Sequence, residues 1–275
     1  MEIIVNSHTH IGDAFITLDK KAWTVEELVA PPHGLKHEMM RRASEKEILE
    51  GMKKAISVME KCGTTHFFDF REGGVGGIKI LKKAMEGSKL NAVILGRPVE
   101  LRYDSKEINE ILKISDGIGL SSISDWDYEE LKKVAAHVNK KKKMFAIHAS
   151  EAFREDINAI LDLKPSLLIH MSSASRDDLE IVADAGVPVA VCPRSNAFFG
   201  IRPDIESMLE CGISLLLGTD NAMVAPPDIM QEMEYLLKNF DVSREQALAM
   251  ITANPRKCLN VSLGIQQSDG SKNMP

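Results

Sequence analysis

The chain has 275 residues, of which 44% are hydrophobic and 27% are charged, and its formal net charge is −6. That length suits one domain with a large buried core, and the negative charge is a poor match to nucleic acid, whose phosphates must be neutralised by a basic surface. No apolar run is long enough to cross a membrane, and no signal-peptide pattern is visible. The four cysteines are scattered and too few for a disulfide framework. We therefore expect a cytoplasmic protein without nucleic-acid or membrane partners.

Short β-branched runs alternate with amphipathic stretches along the whole chain, which is typical of βα units around a parallel sheet. The eight predicted strands are residues 3–7, 65–70, 92–95, 117–120, 144–148, 167–170, 187–191 and 214–218. The eight predicted helices are residues 45–61, 77–86, 106–114, 128–140, 154–161, 175–185, 203–210 and 228–239, with Ser105 and Ser175 as N-caps. Eight such pairs predict an α/β fold, a (β/α)8 TIM barrel over residues 1–263.

Two regions do not follow this repeat. Residues 11–43 separate the first strand from its helix and are far longer than an ordinary βα loop, so we expect them to form a lid. Residues 264–275 are polar and rich in Gly and Ser, and we expect a flexible tail there.

Histidines and an aspartate stand where predicted strands end, which is where the active site of such a barrel lies. His8 and His10 follow the first strand, His148 ends the fifth and Asp220 follows the eighth. Side chains two residues apart in a strand point to the same face, so His8 and His10 can bind one cation. A lone His-x-His is more often structural, but together the four residues offer three nitrogens and one oxygen, which suits zinc or ferrous iron.

Hydrolysis at such a metal also needs groups that move protons, and three residues are candidates. His170 ends the sixth strand and can orient or deprotonate a water molecule, and Asp220 can accept its proton. Glu151 can pass a proton to a ring nitrogen or a departing amine. The alternative for Glu151 is a first-turn carboxylate that stabilises a helix dipole.

These residues resemble the amidohydrolase superfamily over nearly the whole barrel, especially the branch that contains cytosine deaminase, guanine deaminase and the chlorotriazine hydrolases. The matching motifs are Asn6-Ser7-His8-Thr9-His10, His148-Ala149-Ser150-Glu151, His170, Pro193-Arg194-Ser195-Asn196 and Gly218-Thr219-Asp220-Asn221-Ala222. The resemblance implies one metal ion held by His8, His10, His148 and Asp220, with zinc preferred over iron.

Two features refine the resemblance. Gly117-Ile118-Gly119-Leu120-Ser121 has no lysine of the kind that bridges two metals in dihydroorotase and urease, which favours the mononuclear branch. Because the His-x-His begins at residue 8, we also expect a barrel without the β-sandwich that usually flanks it in this family. Without the β-sandwich, the family's usual subunit contacts do not carry over to this chain. A homodimer is one candidate assembly.

Arg71, Arg97 and Arg194 follow strands, and with Asn196 they are candidate substrate-binding residues for a small molecule, which is anionic if the guanidinium groups bind it. The alternative for Arg71 is an internal ion pair with Glu72. The leading hypothesis is an aminohydrolase that acts on a C–N bond of a small heterocycle through metal-activated water. The alternatives are a hydrolase of amide or other C–N or C–X bonds, and a metal-binding barrel subunit without catalytic activity.

Overall fold

Nine strands in the computed structural model, which describes residues 3–262, form one parallel sheet in the order β8-β7-β6-β5-β4-β3-β2-β1-β9. They are β1 (Val5–His10), β2 (His66–Arg71), β3 (Asn91–Gly96), β4 (Gly117–Leu120), β5 (Met144–Ala149), β6 (Leu167–His170), β7 (Val189–Val191), β8 (Leu215–Leu217) and β9 (Asp220–Asn221). Strand β9 directly follows β8 and pairs with β1, with Thr9 opposite Asp220. The sheet is therefore a curled (β/α)8 barrel, as predicted.

The barrel is surrounded by helices. They are α1 (Val25–Leu28), α2 (Leu35–Arg42), α3 (Glu45–Lys61), α4 (Gly74–Ala84), α5 (Ser105–Ile114), α6 (Tyr128–Lys140), α7 (Ile157–Asp162), α8 (Arg176–Ala185), α9 (Pro193–Phe198), α10 (Ile205–Glu210), α11 (Ile229–Asn239), α12 (Arg244–Ile251) and α13 (Ala253–Ser262). All predicted strands and helices are present with ends within three residues of the prediction. Helices α9, α12 and α13, and the two short ones α1 and α2, were not predicted.

Side-chain capping explains where two of the helices begin. Ser175 is the N-cap of α8, as predicted, because its hydroxyl accepts a hydrogen bond from Asp178 N. The prediction for Ser105 is wrong by one residue. The Asp104 carboxylate accepts from Lys106 N and Glu107 N, so Asp104 is the N-cap of α5 and Ser105 is its first helical residue.

The first strand differs from its prediction in a way that matters for the site. It runs to His10 instead of ending at residue 7, because Thr9 and His10 pair with β9. Both histidines therefore lie within a strand that is hydrogen-bonded on both sides. Gly218 makes the close approach of the next strand possible, since a Cβ there would lie 2.6 Å from the His8 Cβ.

Residues 11–43, called the inserted segment below, are folded rather than irregular. They contain a 3-10 turn at Ile11–Asp13 followed by α1 and α2. Leu28 is completely buried, and Lys36 and His37 on α2 are also buried. The segment packs against the barrel mouth, and its closure as a lid stays a prediction.

Apolar side chains fill the barrel interior below the polar mouth. Val5, Phe68, Leu95, Ala146 and Ile169 belong to this inner cluster, while a larger cluster lies between the sheet and the helices. Strands covered on both faces read as nearly continuous apolar runs, which is why they were recognisable in the sequence. Within residues 3–262 no helix is long and apolar enough to cross a bilayer. The predicted tail at residues 264–275 lies outside the described residues.

Candidate metal centre and catalytic pocket

Four side chains from three parts of the barrel converge at its carboxyl end. Ligand atoms of His8 and His10 from β1, His148 from β5 and Asp220 from β9 all lie within 4.8 Å of one another. Asp220 Oδ1 is 3.3 Å from His8 Nε2 and 3.6 Å from His10 Nε2, and the Nε2 atoms of His10 and His148 are 3.4 Å apart. The predicted metal ligands are thus brought together by the fold.

The chemistry of this group fits a divalent transition-metal ion. Burial lowers the pKa of all three imidazoles, to about 3 for His10, so each ring is neutral and offers a lone pair. Neither nitrogen of the completely buried His8 has a hydrogen-bond partner among residues 3–262. Burying such a polar group without a partner is costly, and a bound cation supplies the missing interaction.

Two of the rings are oriented by partners on the side away from the centre. His148 Nδ1 donates to Leu120 O at 2.7 Å, and His10 Nδ1 donates to Glu72 Oε1 at 2.8 Å. A donor at Nδ1 leaves Nε2 as the ligand atom, which is the usual arrangement of metal-binding histidines. Sequence reasoning considered Glu72 only as a partner of Arg71. Its position directly after a strand, beside a strand that carries His-x-His, was the available signal.

Glu151 and His170 lie beside the metal ligands and share a second group with Asp220. Burial, followed by the charge of Asp220, raises the pKa of Glu151 well above its ordinary value. Burial alone would raise the pKa of Asp220 too, but its close contact with His8, whose Nε2 lies 3.3 Å from Oδ1, and with the neighbouring histidines holds that pKa well below its usual range. Two neighbouring carboxyl groups with pKa values driven apart are typical of an acid and a base, and Glu151, with the higher pKa, is the candidate acid.

Helix α9, which the sequence motif matched without predicting a helix, supports these residues from behind. Ser195 Oγ donates to Asp220 Oδ2 at 2.5 Å, and Asn196 Nδ2 donates to His170 Nδ1 at 3.4 Å. That donation leaves the ring proton of His170 on Nε2, which lies 3.5 Å from Glu151 Oε1. His170 and Asp220 also have positive φ angles of 72° and 60°, a strained backbone of the kind found at functional sites.

A cavity of about 520 Å³ opens above this group, within the usual size range of small-molecule sites. Three of the metal ligands, His10, His148 and Asp220, line it together with Glu151. The inserted segment forms one wall through Val25, Val29 and Pro31. Phe153 lines the cavity at the rim and is 58% exposed. The predicted lid therefore lies in position to contact a bound ligand.

Of the four candidate substrate-binding residues, the structure brings only Arg97 to the cavity wall. Arg71 is completely buried and is paired with Asp69 and Glu72, which matches its alternative interpretation as an internal ion pair. Asn196 is buried behind His170. Arg194 lies against Glu232, with Nη1 3.7 Å from Oε2.

Glu232 is a completely buried carboxylate that holds the first turn of α9, because its Oε1 accepts from Arg194 N at 2.7 Å. Burial raises its pKa to about 8. The folded state therefore keeps a proton that the unfolded chain loses near pH 4.5, so stability is lost as the pH rises from 4.5 through 8.

We expect Glu232→Gln to remove this dependence, since an amide stays neutral and still accepts from Arg194 N. Urea unfolding at several pH values between 6 and 9 measures this dependence. Below pH 8, the free energy of unfolding of the variant relative to that of the wild type should increase by up to about 1.4 kcal/mol for each pH unit. Parallel stability curves for the two proteins would show that Glu232 does not titrate in this range.

A (β/α)8 barrel with three imidazoles and a carboxylate converging at its carboxyl end, and a second carboxyl group beside them, is the arrangement of a metal-dependent hydrolase. Comparison with known proteins agrees: the sequence profile of the amidohydrolase family matches residues 4–265. The chain belongs to the amidohydrolase family.

Two sequence relatives and one solved structure are similar to the chain. It is 35% identical to an uncharacterized protein of Methanocaldococcus jannaschii over 94% of this chain and 72% of the relative. It is 33% identical to a provisionally named aminohydrolase of Methanothermobacter thermautotrophicus over 86% of this chain and 66% of that protein. Its fold is similar to that of a zinc-bound adenosine deaminase from Xanthomonas campestris, with a TM-score of 0.75, 14% identity, and coverage of 96% of this chain and 67% of the deaminase.

Proposed function

We propose that this protein is a mononuclear metal-dependent aminohydrolase that releases ammonia from a small heterocyclic amine. The observation that carries the proposal is the position of Glu151, with Oε1 3.5 Å from His170 Nε2, beside the convergent ligand atoms of His8, His10, His148 and Asp220. The name of the Methanothermobacter relative and the deaminase with the similar fold support the same reaction class.

Zinc is the expected metal, because three imidazoles and one carboxylate form a ligand set that zinc commonly takes. When bound, the ion acts as a Lewis acid that activates a water molecule for attack on an electrophilic carbon. Strand β4 supports a single ion, since Gly117–Leu120 has no lysine that could bridge two.

Protons then move between the side chains on the cavity floor. Glu151 donates its proton to the ring nitrogen next to the attacked carbon, which makes that carbon a better electrophile. Asp220 belongs both to the ligand group and to the group with Glu151 and His170, and its carboxylate accepts a proton from the attacking water. His170, held at Nδ1 by Asn196, directs its Nε2–H into the site and orients the developing oxygen of the product. The C–N bond then breaks: the amine takes up the proton held by Asp220 and leaves as ammonia, and the hydroxyl becomes the carbonyl of the product as its proton returns to Glu151.

The position of Arg97 favours a substrate that carries an anionic group. Its side chain lines the cavity, is only 9% exposed, and forms no salt bridge with any residue that the structure describes. Its nearest polar contact is His37 Nδ1, 3.4 Å from Nη2. A buried guanidinium without a carboxylate partner is a good receptor for a substrate carboxylate or phosphate.

Ammonia release from aminopurines, aminopyrimidines and aminotriazines by the zinc-loaded protein tests the reaction. We expect turnover of at least one of these classes, and none by the same protein after chelation. Amide hydrolysis without ammonia release would move the reaction to the amide-hydrolase alternative. A full zinc site without turnover of either kind would favour the non-catalytic barrel.

Arg97→Met tests the anionic group on any substrate so identified. We expect KM to rise about 10- to 100-fold with little change in kcat, because a charge-assisted hydrogen bond to the substrate is worth about 1.5–3 kcal/mol. Arg102→Met, at an exposed position of the same β3–α5 connection, is the matched control. An equal KM for Arg97→Met and wild type would remove Arg97 from the binding site.

A further inference from the structure

A cluster of buried charged groups lies directly behind the metal ligand His10, outside the group that carries the proposed reaction. It consists of Asp13, Lys36, Asp69, Arg71 and Glu72, and each of them is at most 5% exposed. Lys36 comes from α2 of the inserted segment, whereas Asp69 and Arg71 lie at the end of β2 and Glu72 directly follows it. The cluster thus joins the inserted segment to the barrel.

Glu72 is the centre of this cluster, and both of its carboxylate oxygens are occupied. Oε1 accepts from His10 Nδ1 at 2.8 Å and lies 2.6 Å from Lys36 Nζ. Oε2 accepts from Arg71 Nη2. With a cation on each oxygen, the carboxylate has one favourable orientation, and in that orientation it faces the His10 ring.

The two cations are themselves fixed. Arg71 packs against the backbone of Gly12, where an added Cβ would lie 2.0 Å from Nη2, so this glycine makes room for the guanidinium. Lys36 Nζ also donates to Asn221 Oδ1 at 2.8 Å and lies 3.7 Å from Asp13 Oδ2. Asn221 follows the metal ligand Asp220 on β9. One lysine of the inserted segment therefore contacts the partner of the metal ligand His10 and the chain neighbour of the metal ligand Asp220.

We infer that Glu72 is a positioning residue that holds His10 with Nε2 toward the metal, and that Lys36 holds Glu72 in place from the inserted segment. A carboxylate that accepts from the distal nitrogen of a ligand histidine fixes the ring and raises its basicity. The inserted segment is then a structural part of the metal site as well as a wall of the cavity. This inference concerns metal binding alone. It can fail while the proposed reaction stands, and the proposed reaction can fail while this inference stands.

Zinc binding to the chelator-treated protein, measured by competition with a chromogenic chelator, tests the role of Glu72. We expect Glu72→Gln to weaken zinc binding about 10- to 100-fold, because an amide is a poorer acceptor for His10 Nδ1–H than a carboxylate. Glu129→Gln, on the exposed face of α6, serves as the control, and circular dichroism checks that both variants fold. Zinc affinity within twofold of the wild type in a folded Glu72→Gln protein would overturn the inference.

The proton on His10 Nδ1 gives a readout that a merely structural role would not move. In the zinc-loaded protein we expect a downfield, slowly exchanging resonance for it, which moves upfield in Glu72→Gln and in Lys36→Met. Because Lys36 acts through Glu72, adding Lys36→Met to Glu72→Gln should cause no further shift. Arg42→Met, an exposed change on the same helix, should leave the resonance in place. An unmoved resonance in Lys36→Met, or additive shifts in the double variant, would show that Lys36 does not act through Glu72.

Discussion

Replacing Glu151 with glutamine is expected to lower kcat about 10²- to 10⁴-fold while the metal content stays unchanged. Glu151 is the buried carboxyl group whose pKa burial and the charge of Asp220 raise well above its ordinary value, which favours its role as the proton donor. Glutamine has nearly the same shape but cannot release a proton. It is not one of the four ligands, so the loss should appear in turnover and not in zinc binding.

Steady-state kinetics and elemental analysis on the same preparation separate these effects. Glu129→Gln is a control for the loss of a carboxylate elsewhere on the barrel, and we expect wild-type kinetics from it. If Glu151→Gln kept full turnover, the proton donor would have to be another group. A variant that loses its metal would instead identify Glu151 as a ligand.

Removing the metal is expected to lower the melting temperature by an amount on the order of 10 °C. Ligand binding at a thousand times its Kd stabilises the folded state by about 4.1 kcal/mol, and each kcal/mol corresponds to ~2–4 °C for a chain of comparable size. The four ligands lie on β1, β5 and β9, so the unfolded chain cannot bring them together.

Thermal unfolding of the chelated protein, before and after addition of zinc, measures this effect. His8→Ala should unfold at the same temperature with and without zinc, because the ring at the centre of the group is gone. A wild-type melting temperature that does not respond to chelation or to zinc would contradict a metal site of this strength.

Much of the barrel and of its metal centre was predictable, because both depend on local patterns. Strands buried on both faces leave apolar runs in the sequence, and the polar residues that interrupt them at the carboxyl ends mark the site. His8 and His10 show this directly, since a spacing of two residues within β1 puts both rings on the same face.

What could not be predicted depends on contacts between distant residues. Lys36 and Glu72 are 36 residues apart, and nothing local to either one indicates their contact at 2.6 Å. Arg71 ends β2 and Arg97 directly follows β3, yet Arg71 is completely buried and Arg97 lines the cavity. Whether an arginine after a strand points inward or toward the mouth is decided by the neighbours that pack on it, here Gly12 and Asp69 for Arg71.

The most direct test of the account is the metal content of protein purified without chelator, compared with that of Asp220→Ala. The account predicts about one zinc or iron per wild-type chain and a clearly reduced content in the variant, since Asp220 supplies the carboxylate among the four ligands. Two metals per chain would contradict the mononuclear site. No metal in the wild type, even after zinc is supplied, would contradict the assignment of His8, His10, His148 and Asp220 as a metal centre.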